Sequence, residues 1–257
     1  MSECILMKRK AASIPFYIES VSLNLYSAEE LCYFIANYIP LAEEIITDKN
    51  LVKWLDEECS MPGTADIIRS LLTGRDDTRE EALKVILKNT YYYSASDLEQ
   101  IFVRIDEFRD KREADKRMAR AAVLMKNKKY KSAMFDYESI LAEPEISKES
   151  DEFRGRLYYN LGCACAKIFQ LGKARRYFEN AMNLLSEEKV RRADLAAAYL
   201  YGGVAALDEE ANRIGAGIGE KNKVLSQIEA FQDPVIKEDL EVLAARWMKE
   251  YHESMGL

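Results

Sequence analysis

Apolar residues recur at steps of three and four along most of this chain, the spacing of one buried helix face. Leu31, Phe34, Ile35, Tyr38, Leu41, Ala42 and Ile45 form one such stripe. Ser27 with Glu30 ahead of it makes a capping box, so a helix is expected over 28–47. Pro40 falls inside that span and lacks a backbone donor, which places a kink or break at Ile39. Shorter helices are expected near 50–59, 64–73 and 78–91, separated by Met61-Pro62-Gly63 and by the polar run 73–77. A further stripe, Leu98, Ile101, Phe102, Ile105 and Phe108, follows Ser96 and Glu99, which read as its capping box. Two continuations stay open: the helix runs on towards Lys126, or it breaks around 110–114. Before the first helix, residues 14–26 alternate apolar and polar in their second half and read as an extended arm.

The second half of the chain carries an internal repeat. Tyr158, Leu161 and Gly162 lie on one predicted helix, and Ala174, Phe178 and Ala181 on the next share one stripe at steps of four and three. Small residues let two helix axes approach, and Phe178 fills the remaining space. Tyr130, Ala133, Tyr137 and Ile140 repeat the order Leu171, Ala174, Phe178 and Ala181, with Ala121 standing where Gly162 does. The offset from Ala133 to Ala174 is 41 residues, and a further 41 from Gly162 reaches Gly203, so Tyr199, Gly202 and Gly203 mark a third first helix. Insertions fall around 144–151 and 186–192, polar or charged stretches suited to longer turns. The third copy loses its pattern after Leu207, because residues 214–219 are too glycine-rich for a helix interior, at roughly 1 kcal/mol per Gly relative to Ala.

These positions resemble the tetratricopeptide repeat: an aromatic, a Leu-Gly pair, a small residue, then Ala, an aromatic and Ala. The resemblance spans about 114–231. It implies an all-α fold: a right-handed solenoid of about three degenerate hairpins, with a capping helix from Pro234 carrying Leu240, Leu243, Ala244, Trp247 and Tyr251. A small helical domain over 1–110 precedes a repeat region over 111–257. First helices in this family line a concave groove, so the resemblance assigns to it Met118, Ala122 and Met125, then Arg156, Tyr159, Cys163 and Ala166, then Leu200, Val204 and Leu207. Members that grip a peptide carboxylate place Lys, Asn and Arg there; this chain offers only Arg156, Asn160 and Lys167 nearby. The groove is therefore read as largely apolar, open to a protein or peptide or else filled by the chain's own arm or C-terminal helix.

Composition narrows the rest. With 48% hydrophobic residues, five prolines and eleven glycines, 257 residues suffice for a packed helical core. No segment reaches the roughly 18 apolar residues of a spanning helix, and the N-terminal apolar run is too short for a signal peptide, so a cytoplasmic protein with no membrane partner is expected. Five cysteines in helical contexts are read as reduced thiols. One histidine, His252, cannot supply a zinc site or a nucleophilic triad, so no catalytic residue, metal or cofactor is assigned. Gly215, Gly217 and Gly219 lack the strand and Gly-Lys-Ser or Gly-Lys-Thr context of a phosphate loop and read as a turn. Of Tyr91, Tyr92 and Tyr93, at least one is expected in the core. A net charge of −7 argues against general nucleic-acid binding, but 104–131 carries eleven Lys or Arg against five acids. That segment reads first as a solvated charged helix and second as a polyanion surface. The expectation is a non-enzymatic scaffold or adaptor; the alternatives are a peptide-responsive regulator and an RNA-associated repeat protein using 104–131.

Overall fold

The break imposed by Pro40 sets the first corner. α1 (Ala28–Asn37) ends at Tyr38, and α2 (Ile39–Ile45) starts again with Pro40 in its first turn, where the missing N–H has no intrahelical partner to lose. Residues 11–73, 78–230 and Met248 are described in this computed structural model. Ser27 accepts a hydrogen bond from the Glu30 N–H at 3.1 Å, while Glu30 reaches past the cap to the Tyr26 N–H. The expected arm is a hairpin: β1 (Phe16–Ile18) pairs antiparallel with β2 (Leu23–Leu25), Phe16 opposite Leu25. Phe16, Ile18 and Leu25 are buried, and the Trp54 indole N–H donates to the Ile14 carbonyl at 2.8 Å. The arm is thus part of the N-terminal core, packed on α1 and α3 (Lys49–Glu57).

Helices α4 (Pro62–Leu72) and α5 (Arg79–Thr90) complete this bundle. None of the three tyrosines after α5 is core: Tyr91 is exposed in a left-handed conformation, and Tyr92 and Tyr93 are half-buried, edge to face at 4.7 Å. α6 (Ala95–Arg109) buries Ile101, Ile105 and Phe108. Its capping box is Ser94 with Asp97, not Ser96 with Glu99. Ser94 takes the extended conformation a cap requires, and both reciprocal bonds form, at 3.2 and 3.3 Å. The helix does not run on. It stops at Arg109, and α7 (Glu113–Lys126) starts anew after Arg112.

From there the helices pair. α7 packs on α8 (Tyr130–Leu141), α8 on α9 (Asp151–Lys167), and α9 on α10 (Leu171–Met182), with a short 3-10 turn at Pro144–Lys148 filling the first insertion. The connections α7–α8 and α9–α10 are copies of each other. Lys128 and Phe169, 41 residues apart, take φ of 60° and 59°. The next residues, Lys129 and Gln170, donate to carbonyls five positions back, Leu124 and Cys165, each at 2.9 Å. Leu124 and Cys165, Ala133 and Ala174, Tyr137 and Phe178, Ile140 and Ala181 are each buried. Against Phe178, Gly162 leaves no room: a Cβ there would sit 2.6 Å from the ring.

The chain divides into two compact units, Met1–Ser186 and Glu187–Leu257, so residue 110 lies inside the first. Contacts of α2 with α7 join the N-terminal helices to the first hairpin. In the second unit α11 (Glu188–Ile214) begins within the expected insertion, because Val190 is buried there, and packs on α12 (Ile218–Ala230). α11 bends at Gly202 and Gly203, where Gly203 holds φ 68° and ψ −155°, a conformation that excludes other residues. A Cβ at Gly203 would meet nothing within 4 Å, so its role is conformational and not the close packing of Gly162. The α11–α12 turn repeats the earlier two at Gly215, φ 66°, with Ala216 donating to Ala211 at 2.8 Å, but it arrives 46 residues after Phe169 and not 41. The expected capping helix from Pro234 lies outside the described residues.

Replacing Gly162 by Ala sets a helix-propensity gain of about 1 kcal/mol against overpacking that costs about 1–3 kcal/mol. The 2.6 Å contact with a buried ring makes the second term win. Urea unfolding should therefore show Gly162→Ala destabilised, and Phe178→Leu in the same chain should recover part of the loss. A gain in stability for Gly162→Ala alone would remove the close-contact account.

Candidate functional site

The first helices of the two hairpins in unit 1 present the face assigned to a groove. On α7, Met118 and Met125 are half-buried and Ala122 is exposed; on α9, Tyr159, Asn160, Cys163 and Ala166 are half-buried, and Arg156 and Lys167 are exposed. Arg156 pairs with Glu152 at 2.5 Å along its own helix. The Tyr159 ring leans on Phe178, centroids 6.0 Å apart, so this side chain joins the outer face to the hairpin core. Tyr158 turns the other way and stacks on Tyr177 at 6.4 Å. The two N-termini are tied together: the Arg112 guanidinium lies 5.5 Å above the Phe153 ring and donates to both Glu149 oxygens. Arginine suits this because one planar group can stack and fork at once.

In the second unit the register changes the assignment. Leu207 is fully buried with Leu195, Ala211 and Val224, and Tyr199 packs on this cluster. Counted from the turn, Leu207 and Val224 occupy the places of Leu161 and Phe178. Leu207 is therefore core and not a groove residue. Leu200 and Val204 are exposed, at 54% and 56%, on either side of the Gly202–Gly203 bend. The positions equivalent to Tyr159, Cys163 and Ala166 are Ala205, Glu209 and Asn212, all exposed and two of them polar. The bend hid this: five extra residues between two turns leave no trace in an apolar pattern that already contains Gly203.

In the basic segment 104–131, four of the five arginines pair with carboxylates; among the described residues Arg104 makes no ion pair. Arg109 meets Glu80, Asp106 and Asp110; Arg112 meets Asp115 and Glu149; Arg117 meets Glu113 and Glu143; Arg120 meets Glu44 on α2 and Asp136 on α8. These arginines staple helices, and the carboxylates of the same chain neutralise them. Between α2 and α7 lies a cavity of about 440 Å³ whose walls mix Glu43, Glu44 and Glu113 with Arg79, Lys116 and Arg117. Lys116 sits 5.7 Å over the Phe108 ring. The expected RNA-reading set of Arg112, Lys116, Arg117 and Arg120 is thus largely engaged by partners of the same chain.

Burial pushes the Cys165 thiol up to about 11 and raises the Tyr137 hydroxyl above its ordinary range, so neither ionises near neutrality. Cys165 lies 3.8 Å from the Met134 sulfur as a packing residue. Among the described residues no cluster of His, Cys, Asp and Glu could hold a metal ion, and no helix is long and apolar enough to cross a membrane. Comparisons of the chain with models of protein families, with curated proteins and with solved structures return no match. The tetratricopeptide resemblance therefore stands on the repeat residues alone.

Arg120 is the only one of these arginines that joins an N-terminal helix to the repeat helices, and Asp136 beneath it is mostly buried. Burial holds the Asp136 carboxyl above its ordinary value, while Arg120 pulls the other way. Its charge therefore costs stability at neutral pH, and the cost disappears as pH falls through the folded-state value. Arg120→Ala should lose about 1–3 kcal/mol near neutrality, Arg117→Ala under about 1. The Arg120→Ala deficit should shrink on acidification; denaturation measured across pH checks both, and equal deficits at all pH values would exclude the Asp136 account.

Proposed function

We propose that the chain is a non-enzymatic scaffold or adaptor of tetratricopeptide type, its hairpins stacking as a right-handed solenoid whose first helices bind a protein or peptide. The observation that carries this reading is the repetition of one hairpin, turn for turn, at residues 113–141 and 151–182. In a stack of hairpins each repeat contacts its neighbours, and an extended surface is left for binding. That surface is Met118, Ala122, Met125, Tyr159 and Cys163, apolar but only half-covered, with Arg156, Asn160 and Lys167 at its margin. Unbranched methionines beside an amphipathic tyrosine suit an apolar stripe of an incoming helix, since such side chains adapt to varied shapes. The arginine engagement described above weighs against the RNA-associated alternative. The cytoplasm remains the expected compartment.

The test is affinity enrichment in which Met125→Glu and Cys163→Glu are compared with wild type, both positions lying off the buried stripe. Each should abolish capture of a salt-resistant protein partner while the helical circular dichroism signal is retained. Tyr159→Ala should weaken capture too, with a small stability loss from its contact with Phe178. Capture that survives both glutamate substitutions would place the binding surface elsewhere.

A further inference from the structure

Three lysines at the end of the basic segment are left out of its ion pairing, while Lys129 between them donates to Ser22 of the N-terminal arm at 2.7 Å. Lys126, Lys128 and Lys131 make no ion pair among the described residues, and neither do Lys167, Lys173 and Arg176 on the next hairpin. The two groups belong to one edge. α8 packs on both α7 and α9, and tight turns join α7 to α8 and α9 to α10. The 3.8 Å contact of Met134, at the start of α8, with Cys165, at the end of α9, fixes that proximity. No acid occurs within 126–131 or 167–173. The carboxylates closest in sequence are Asp136, engaged with Arg120, and Glu179, three residues beyond Arg176, so cations outnumber acids at this end. The chain's net charge of −7 is thus locally inverted at this end.

Phe169 projects from the same edge. It is 81% exposed, and its φ of 59° is a conformation that costs a bulky residue roughly 1–2 kcal/mol and that glycine would adopt without strain. Gly215 occupies the corresponding place in the α11–α12 turn, so the turn has no need of an aromatic ring. Phe135, 66% exposed, stands four residues beyond Lys131 on the same face of α8. We propose that this turn edge is a docking surface for an anionic lipid bilayer, with the lysines against the headgroups and Phe169 inserted at the interface. Charge complementarity and residue type choose this occupant. Five of the six cations are lysines, point charges suited to a diffuse negative surface, whereas Arg109, Arg112, Arg117 and Arg120, which could fork onto a fixed carboxylate or phosphate, are already paired with carboxylates of the chain. A single projecting ring needs no complementary pocket in a lipid interface. The contact is peripheral, so it does not require a spanning helix.

Sedimentation of the full chain with vesicles tests this, using phosphatidylcholine alone against phosphatidylcholine containing roughly a third phosphatidylserine. Binding should require phosphatidylserine and fall with salt, and Lys128→Gln and Lys173→Gln should each weaken it about fivefold. Phe169→Gly separates folding from binding: it should raise stability by relieving the turn and still weaken vesicle binding about tenfold. Equal binding to both vesicle types, or no effect of the lysine substitutions, would overturn the proposal. So would Phe169→Gly binding as wild type while an RNA oligonucleotide or polyglutamate competes, an outcome that marks a polyanion site instead.

Discussion

The packing of Phe178 into the space left by Gly162 governs the middle of this molecule. It sets how closely α9 and α10 approach, holds Tyr159 at the outer face through ring contact, and positions the turn that carries Phe169. A hairpin of two ordinary helices keeps its axes 8–10 Å apart according to the side chains between them, so a missing Cβ is a structural instruction and not a neutral gap. The preceding hairpin solves the same problem with Ala121 and Tyr137, both buried. Its small and aromatic residues stand 41 positions before Gly162 and Phe178, and the turn geometry is unchanged.

Charge is distributed by chemistry and not by sequence position. Within one basic stretch, Arg112, Arg117 and Arg120 bridge carboxylates, and Lys126, Lys128 and Lys131 stay unpaired near a hairpin end. The cause is geometric. A guanidinium offers several donors in a plane and is weakly hydrated, so it bridges Glu44 and Asp136 at a half-covered site. An ammonium is a strongly hydrated point, and extending it from a helix end costs least there. The same division separates what holds unit 1 together from what it can offer to a partner, and it leaves the apolar face of α7 and α9 as a third, electrically quiet surface.

Much of this was legible along the chain. Helix positions followed from apolar spacing, the break before α2 from Pro40, and the two hairpins from the order of small and aromatic residues, because each signal acts through neighbours a few residues away. The 41-residue offset was legible because both turns have the same length. Less local features were not. The cap of α6 moved from Ser96 to Ser94 since two serines compete within one turn and backbone conformation decides between them. The seating of the arm was not legible either, because Trp54, some forty residues on, supplies the donor to the Ile14 carbonyl.

The sequence by itself determined an all-α chain with a duplicated hairpin and a basic stretch, since periodicity, breakers and composition are properties of residues in order. Tertiary structure decided which of those residues are available. Leu207 went to the core and Leu200 to the surface because the third turn falls five residues later than the 41-residue offset places it. Arg117 and Arg120 are taken up in ion pairs because carboxylates from α2, from α8 and from Glu143 converge on them. Burial and ion pairing depend on groups distant in the chain, and only folding brings those groups together.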